Sequence, residues 1–262
     1  MSIIFPLYSS SSGNSTYIGT KKGNILIDAG ASFKGIKESL ERIDATPENI
    51  SAVMITHEHI DHIKGLKTFL NKTGATLIAS EQTLSVLING DKIPKGVTVL
   101  PIDKETIEIG GIAVNRFATS HDCVGSSGYT FLLPDNKKVS ICTDLGIVTD
   151  KVRSALVGSD LVLLESNHDV EMLKKGPYPP ELKVRILSDK GHISNTACAT
   201  ELKNLFENGT RRFILGHLSQ HNNTPLLAKR CATSALIDLG AEIDRDYTLT
   251  IAKPSDNGVT VI

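Results

Sequence analysis

The 262-residue sequence predicts an α/β protein in which two mixed sheets pack face to face, with helices covering their outer sides. Three observations lead there. Strand-like segments come in blocks with helix-like segments between them, and the chain runs through this plan in two similar halves. The runs Ile50–Thr56 and Asp160–Leu164 are apolar nearly throughout, as strands buried on both faces are. Polar residues gather where strands end, which is where an α/β layer usually holds ligands.

In order, Ile3–Tyr8 reads as a strand and Ser9–Asn14 as a turn-rich Ser/Gly loop. Such a loop can hold an anion through backbone N–H groups, although it is more often only a turn. Ser15–Gly19 and Asn24–Asp28 are strands joined by a Lys-Lys-Gly turn, and Ser32 can cap a helix to about Ile43. The apolar run into His57 follows, then helix spacing from His62 to about Asn71, a strand at Thr76–Ala79 and a helix from Ser80 to about Leu87. Strands are expected at Thr98–Leu100, Thr106–Ile109, Ile112–Thr119, Tyr129–Leu133 and Lys138–Thr143, with a helix at Thr149–Val157 and a strand at Asp160–Leu164. Helices to Lys175, about Leu187 and about Phe206 precede a strand at Arg212–Leu215. A helix at Thr224–Leu239 and strands at Tyr247–Ile251 and Val259–Ile262 complete the chain. No linker, repeat or low-complexity segment interrupts it, so residues 1–262 are expected to form one domain.

The chemistry centres on His57-Glu58-His59-Ile60-Asp61-His62, which reads H-x-H-x-D-H-x-x-G through Gly65. His57 and His59 lie two residues apart and point the same way in an extended stretch, so they can grip one cation. Asp61 and His62 follow the turn into the helix and can face a second cation. Imidazole and carboxylate without thiolate suit zinc, with manganese or iron as alternatives. With eight His and sixteen Asp in the chain, chance would produce this pattern in roughly one such sequence in two thousand. Position 61 is Asp, so the motif is not the H-E-x-x-H of zinc proteases. His121, Asp144 and His217 each stand just past a strand end and can supply three further ligands.

Hydrophobic content of 40% and charged content of 22% are ordinary for a soluble globular protein. A net charge of −1 excludes global attraction to a polyanion, so such a site must be a local basic patch together with metals. Cys123, Cys142, Cys198 and Cys231 form no C-x-x-C pair and read as small apolar residues in a reducing compartment. No basic residue precedes Lys21, Ile3–Leu7 is too short for a signal peptide, and no stretch approaches the ~20 apolar residues of a membrane helix. A cytoplasmic protein without membrane association is expected.

With H-x-H-x-D-H, a lone His, a lone Asp and a last His in that order, the chain resembles the metallo-β-lactamase-fold hydrolases. It resembles the WalJ/YycJ family more closely still. The matching stretches are Ser-Ser-Ser-Gly-Asn-Ser-Thr (10–16), Leu-Ile-Asp-Ala-Gly (26–30), Ser-His-Asp (120–122), Leu-Glu-Ser-Asn-His-Asp (164–169), Arg-Ile-Leu (185–187) and Gly-His-Ile-Ser-Asn (191–195). The resemblance implies an αββα sandwich with two divalent metals that acts on DNA as a 5′→3′ exonuclease. It further implies that His57, His59 and His121 hold one metal, Asp61, His62 and His217 the other, and that Asp144 bridges them.

Two cations ~3.5–4 Å apart need a shared anion, which a bridging carboxylate and hydroxide supply, and the hydroxide is the expected nucleophile. Asp61 is counted among the catalytic residues as well as the ligands. His192, in Gly-His-x-Ser, resembles the extra His of tRNA-processing relatives and is the candidate acid for the leaving oxygen; its bland alternative is a role in starting the helix beside Ser194. Asp28 is expected to orient a metal-bound His. Glu165 and His168 match the family as further supporting residues without a role the sequence defines. Lys174, Lys175, Lys183, Arg185, Lys190, Arg211 and Arg212 can line a phosphate track, or simply form solvated faces. A hydrolase of thioesters or lactones on the same two metals is the alternative function. A purely structural metal site fits poorly, because seven ligands with a bridging Asp leave coordination positions open.

Overall fold

The computed structural model describes residues 2–262 as two seven-stranded sheets. The first holds β1 (Ile3–Ser10), β2 (Gly13–Gly19), β3 (Asn24–Ile27), β4 (Ala52–Met54), β5 (Thr76–Ala79) and β6 (Val99–Pro101) in chain order. The second runs β7 (Ile107–Ile109), β8 (Ile112–Ala118), β9 (Ser127–Leu132), β10 (Lys138–Cys142), β11 (Leu161–Glu165), β12 (Arg212–Gly216) and β13 (Thr248–Ile251). Strand β14 (Thr260–Val261) returns to the first sheet and pairs with β1. Both sheets follow one plan. Strands β1–β3 and β7–β10 are antiparallel, while β3–β6 and β10–β13 are parallel.

Side-chain alternation assigns each strand's two faces to different layers. Ile25 and Ile27 of β3 and Leu161 and Leu163 of β11 point between the sheets, where they meet Ile112, Val114, Tyr129 and Phe131. Leu26 points outward to Ile36, Leu40 and Phe69, and Val162 and Leu164 point outward to Leu202, Leu205 and Leu236. Three apolar layers result, and each fully buried Leu or Ile in them is worth roughly 1.5–3 kcal/mol. Tyr129 is wholly buried, and its hydroxyl donates to the Ile55 carbonyl at 2.7 Å, pinning the second sheet to the segment just before His57.

Helices α1 (Phe33–Glu41), α2 (Ile60–Ile63), α3 (Leu66–Thr73) and α4 (Glu81–Asn89) belong to the first half. The second half contributes α5 (Asp150–Leu156), α6 (Val170–Lys175), α7 (Pro180–Leu187), α8 (Asn195–Glu207) and α9 (Pro225–Ile237). Ser32, Ser80, Thr149, Asp169, Ser194 and Thr224 cap six of them, each accepting a first-turn N–H. Ser194, not His192, starts α8. Among the described residues no helix is long and apolar enough to cross a membrane.

Two expectations need correction. The Ser9–Asn14 stretch is mostly strand: only Ser11 and Ser12 turn between β1 and β2, because Ser9 and Ser10 pair with Asn14 and Gly13. The helix expected from His62 to Asn71 is broken into α2 and α3 at Gly65, whose N–H donates to the Ala29 carbonyl at 2.8 Å. There the backbones of 28–31 and 61–65 lie against each other: the Ala29 N–H donates to the His62 carbonyl at 2.9 Å. A Cβ on Gly30 would run into the Asp61 carbonyl oxygen, and one on Gly65 into that of Ala31. The spacing from the motif's Asp61 to its glycine is thus a packing requirement. Gly30→Ala should destabilise the protein at or beyond the upper end of the about 1–3 kcal/mol usual for overpacking. A urea unfolding midpoint equal to that of the unaltered protein would contradict this contact.

Candidate metal centre

The parallel strands of both sheets bring their carboxyl ends to one place. Asp28 follows β3, His57 lies just beyond β4, Asp144 lies two residues past β10, Glu165 ends β11 and His217 follows β12. Asp28, Asp144 and His217 each adopt a left-handed backbone, with φ of 59°, 59° and 55°. Asp and His tolerate this region better than most residues, and the turn swings each side chain off its strand into the space between the sheet ends.

All seven residues expected to bind metal lie together there. His57, His59 and His121 form one set, with His57 Nε2 3.0 Å and His121 Nε2 3.3 Å from His59 Nδ1. Asp61, His62 and His217 form a second, with Asp61 Oδ2 3.4 Å from His62 Nε2 and 3.6 Å from His217 Nε2. Asp144 stands between the two: its Oδ2 is 3.3 Å from His62 Nε2 and its Oδ1 3.7 Å from His121 Nε2. Asp144 Oδ2 and His217 Nε2 are buried without a hydrogen-bond partner among the described residues. Unpartnered buried lone pairs of this kind are costly unless a cation takes them, so the donor set fits two divalent metals.

The opposite nitrogen of most of these rings is held by an acceptor, which fixes the ring and its tautomer. His62 Nδ1 lies 2.7 Å from Asp28 Oδ2. The Thr56 hydroxyl donates to the same carboxylate at 2.9 Å and sits 3.1 Å from His57 Nδ1, so Asp28 steadies a ligand of each set. His121 Nδ1 meets the Gly191 carbonyl at 3.0 Å. Glu165, fully buried, places Oε1 2.7 Å from His217 Nδ1 and 2.9 Å from His192 Nδ1, while its Oε2 accepts the Ile193 N–H at 3.0 Å. His192 lies outside these two sets, its ring 5.0 Å from that of His121 and 5.3 Å from that of His217, but with Asp144, Glu165 and His217 it forms a further group close enough to hold a cation. Asn14 joins the second set, its Nδ2 3.2 Å from Asp61 Oδ2 and 3.1 Å from His62 Nε2.

Charge is strongly coupled here. Burial alone would lower the His217 pKa, but Asp144, Asp61 and Glu165 raise it to about 10. Burial would raise Glu165, yet the His192 and His217 imidazoles hold it at about 2. Asp61 also lies well below the usual carboxylate range despite burial, through the His217 and His62 imidazoles beside it. Burial and the neighbouring His62 push His57 the other way, well below an ordinary imidazole. His168 differs from all of these: it is 1% exposed, its two ring nitrogens have no partner among the described residues, and burial lowers its pKa to about 4.

The sequence did not single out Thr56, Asn14 or the Gly191 carbonyl. Thr56 was readable as the hydroxyl directly before the first ligand, and Asn14 as the polar residue after the Ser/Gly turn; a carbonyl has no sequence signature. Of the basic residues, Arg185 lies near the centre, paired with Asp122 beside His121. Lys174 and Lys175 pair with Glu171. Arg211 packs its guanidinium over the Phe206 ring 4.1 Å from the centroid, and it and Arg212 stand at the start of β12, the end opposite to His217. These last two cannot line a track at the centre.

Residues 23–218 match the model of the beta-lactamase superfamily domain. The chain is 39% identical over 246 residues to the exodeoxyribonuclease WalJ of Streptococcus pneumoniae serotype 2, covering 91% of this chain and 90% of that protein. It is 33% identical over 250 residues to the exodeoxyribonuclease YycJ of Bacillus anthracis, covering 95% and 94%. The crystal structure of the metallo-beta-lactamase fold protein YhfI from Bacillus subtilis superposes with a TM-score of 0.71 at 15% identity, over 99% of this chain and 98% of that one. The chain belongs to the beta-lactamase superfamily and, within it, to the family of WalJ and YycJ.

Two predictions follow from this geometry. Asp144→Asn removes the shared charge, so metal analysis should find one of two metals lost first, and His59→Ala should lower metal content as well; either variant with its full complement would overturn the assignment. For His168, the folded protein resists protonation down to pH about 4 while the unfolded chain takes up its proton near 6.5. Stability from this residue is therefore whole above pH 6.5 and lost as pH falls towards 4, by about 3 kcal/mol. His168→Asn should flatten that part of the stability–pH curve measured by denaturant unfolding, and an unchanged slope would show the ring to be solvated.

Proposed function

We propose that this protein is a two-metal phosphodiesterase that degrades DNA as a 5′→3′ exonuclease. The observation that carries the reading is the Glu165–His192 pair set beside the seven-ligand cluster, in a chain whose full-length relatives are exodeoxyribonucleases. The 5′→3′ polarity rests on the family resemblance. Residues 1–262 act as one unit in this reading, because both sheets supply ligands.

His57, His59 and His121 would hold one divalent cation and Asp61, His62 and His217 the other, with Asp144 shared. Zinc is the first choice and manganese the second. No thiol competes: Cys142 is buried in the outer layer, and burial raises the Cys123 thiol to about 11. When bound, such cations would acidify a water and neutralise charge that builds on the phosphate oxygens.

The chain's own groups handle protons and alignment. Asp61 stays ionised and is placed to accept a proton from the attacking water as well as to bind metal. Glu165 takes the Nδ1–H of His192 and fixes its ring, which leaves Nε2 as the position that delivers a proton to the leaving oxygen. Asp28, through His62 and Thr56, keeps the ligand rings from turning. The same ligands would serve a thioesterase; the 33–39% identity to nucleases along nine-tenths of the chain favours the phosphodiester. Four free cysteines fit a reducing, cytoplasmic setting.

The reading is tested by incubating metal-loaded protein with DNA and RNA, single- and double-stranded, labelled at either end. Mononucleotide release from the 5′ end of DNA is expected, and inert DNA beside a hydrolysed thioester would sink the proposal. His192→Ala should keep both metals and slow cleavage by roughly 10²–10⁴-fold. A substrate with a nitrophenolate leaving group, which departs without a proton, should recover most of that rate. Equal slowing on both substrates, or loss of metal, would remove His192 from the acid role.

A further inference from the structure

Beside Asp61 the surface carries two adjoining depressions with Pro254 as a common wall. One, of about 330 Å³, is lined by Ser10, Ser12, Ser32 and Lys64; the other, of about 190 Å³, by Ser9, Gln220 and Lys253. Ser12 of the Ser11–Ser12 turn lines the first, and Gln220, which lines the second, donates its side-chain amide to Ser12 Oγ at 3.2 Å. Asn14 connects this turn to the metal centre: its Nδ2 donates to the Ser10 carbonyl at 2.9 Å and contacts Asp61 Oδ2 at 3.2 Å. Lys64 is three residues beyond Asp61 at the end of α2, hence on the same face of that turn.

The charges in this trough are all of one sign. Lys64 and Lys253 are its only ionisable-at-neutrality side chains, no carboxylate lines it, and neither ammonium is paired among the described residues. Asp256, one residue past the lining Ser255, is engaged by Arg42 at 3.3 Å, and Asp61 is turned to His62 and His217. A larger depression, of about 490 Å³, is different: Glu81 and Asp103 balance Lys104 and Arg116 there, and Arg116 already pairs with Asp103. The lysines on α6 are paired with Glu171, as described above. Hydroxyls with two free ammoniums, leading away from a two-metal site, suit a chain of phosphodiesters better than an isolated small acid.

We propose that this trough is the path of the substrate's sugar–phosphate backbone. Lys64 meets the phosphate next to the scissile bond, the Ser10 and Ser12 hydroxyls sit beside it, and Lys253 meets a phosphate further along the same strand. The inference rests on the nuclease reading and deepens it: the grip is sequence-independent and confined to one strand.

The test uses the metal-loaded, full-length protein and a 5′-labelled single-stranded oligonucleotide, with KM measured across a range of salt. Each lost phosphate contact should reduce the slope of log KM against log salt by about 0.7. Lys64→Gln/Lys253→Gln should therefore flatten the slope by about 1.4 and raise KM on the order of tenfold at 0.1 M salt, more than it lowers kcat. The pair Lys174→Gln/Lys175→Gln should change neither, and metal content and unfolding midpoint verify that the double variants are intact. An unchanged salt slope in the Lys64/Lys253 variant, or an equal loss in the Lys174/Lys175 variant, overturns the track while leaving the nuclease reading in place. A wild-type protein that does not cleave the oligonucleotide at all overturns both.

Discussion

Two buried carboxylates, one behind each half of the centre, hold the arrangement together. Five imidazoles with lone pairs turned towards one another repel unless each ring is anchored from its far side. Asp28 does this in the first half, directly for His62 and through Thr56 for His57. Glu165 does it in the second half for His217 and for His192. Each carboxylate stands at the carboxyl end of a parallel strand and is almost wholly buried, so neither can satisfy its charge with water. The candidate ligand set is therefore fixed by what stands behind it as much as by its own members.

That requirement explains much of the surrounding fold. Residues 28–31 must lie against residues 61–65 for Asp28 to reach His62, which forces Gly30 and Gly65 and breaks the helix after the motif. In the second half, Gly191 must approach the carbonyls of Arg185 and Ile186 closely, where a Cβ would clash, so that its own carbonyl reaches His121. Supporting glycines and supporting acids are parts of one device.

Much of this was legible before any coordinates. The period-two pattern of β3 and β11, the helix caps and the polar residues at strand ends follow from local chemistry, and the H-x-H-x-D-H spacing points to a cluster by itself. Glu165 and His192 were visible as residues but not as a pair: they are 27 positions apart, and the bridge between His168 and Ser194, with the Asn167 N–H donating to the Ile193 carbonyl, brings their segments together. The basic residues misled for the same reason. Proximity in sequence placed Arg211 and Arg212 near His192, whereas β12 carries them to the opposite end of the sheet. Lys64 and Lys253, far apart in sequence, line neighbouring depressions because the chain's last segment folds back against β1.

The left-handed turns at Asp28, Asp144 and His217 carry a consequence for how such a chain drifts over generations. A glycine at any of the three would relax the backbone while deleting a working side chain. Asp28 also anchors His62 and Thr56, so folding has its own use for it. Asp144 and His217 form a buried charge pair, and folding by itself exerts less pressure to keep it, provided both members go together. A lineage released from its substrate should lose Asp144 and His217 early and retain an intact sandwich. A copy that still carries both is one in which more than the scaffold has been under selection.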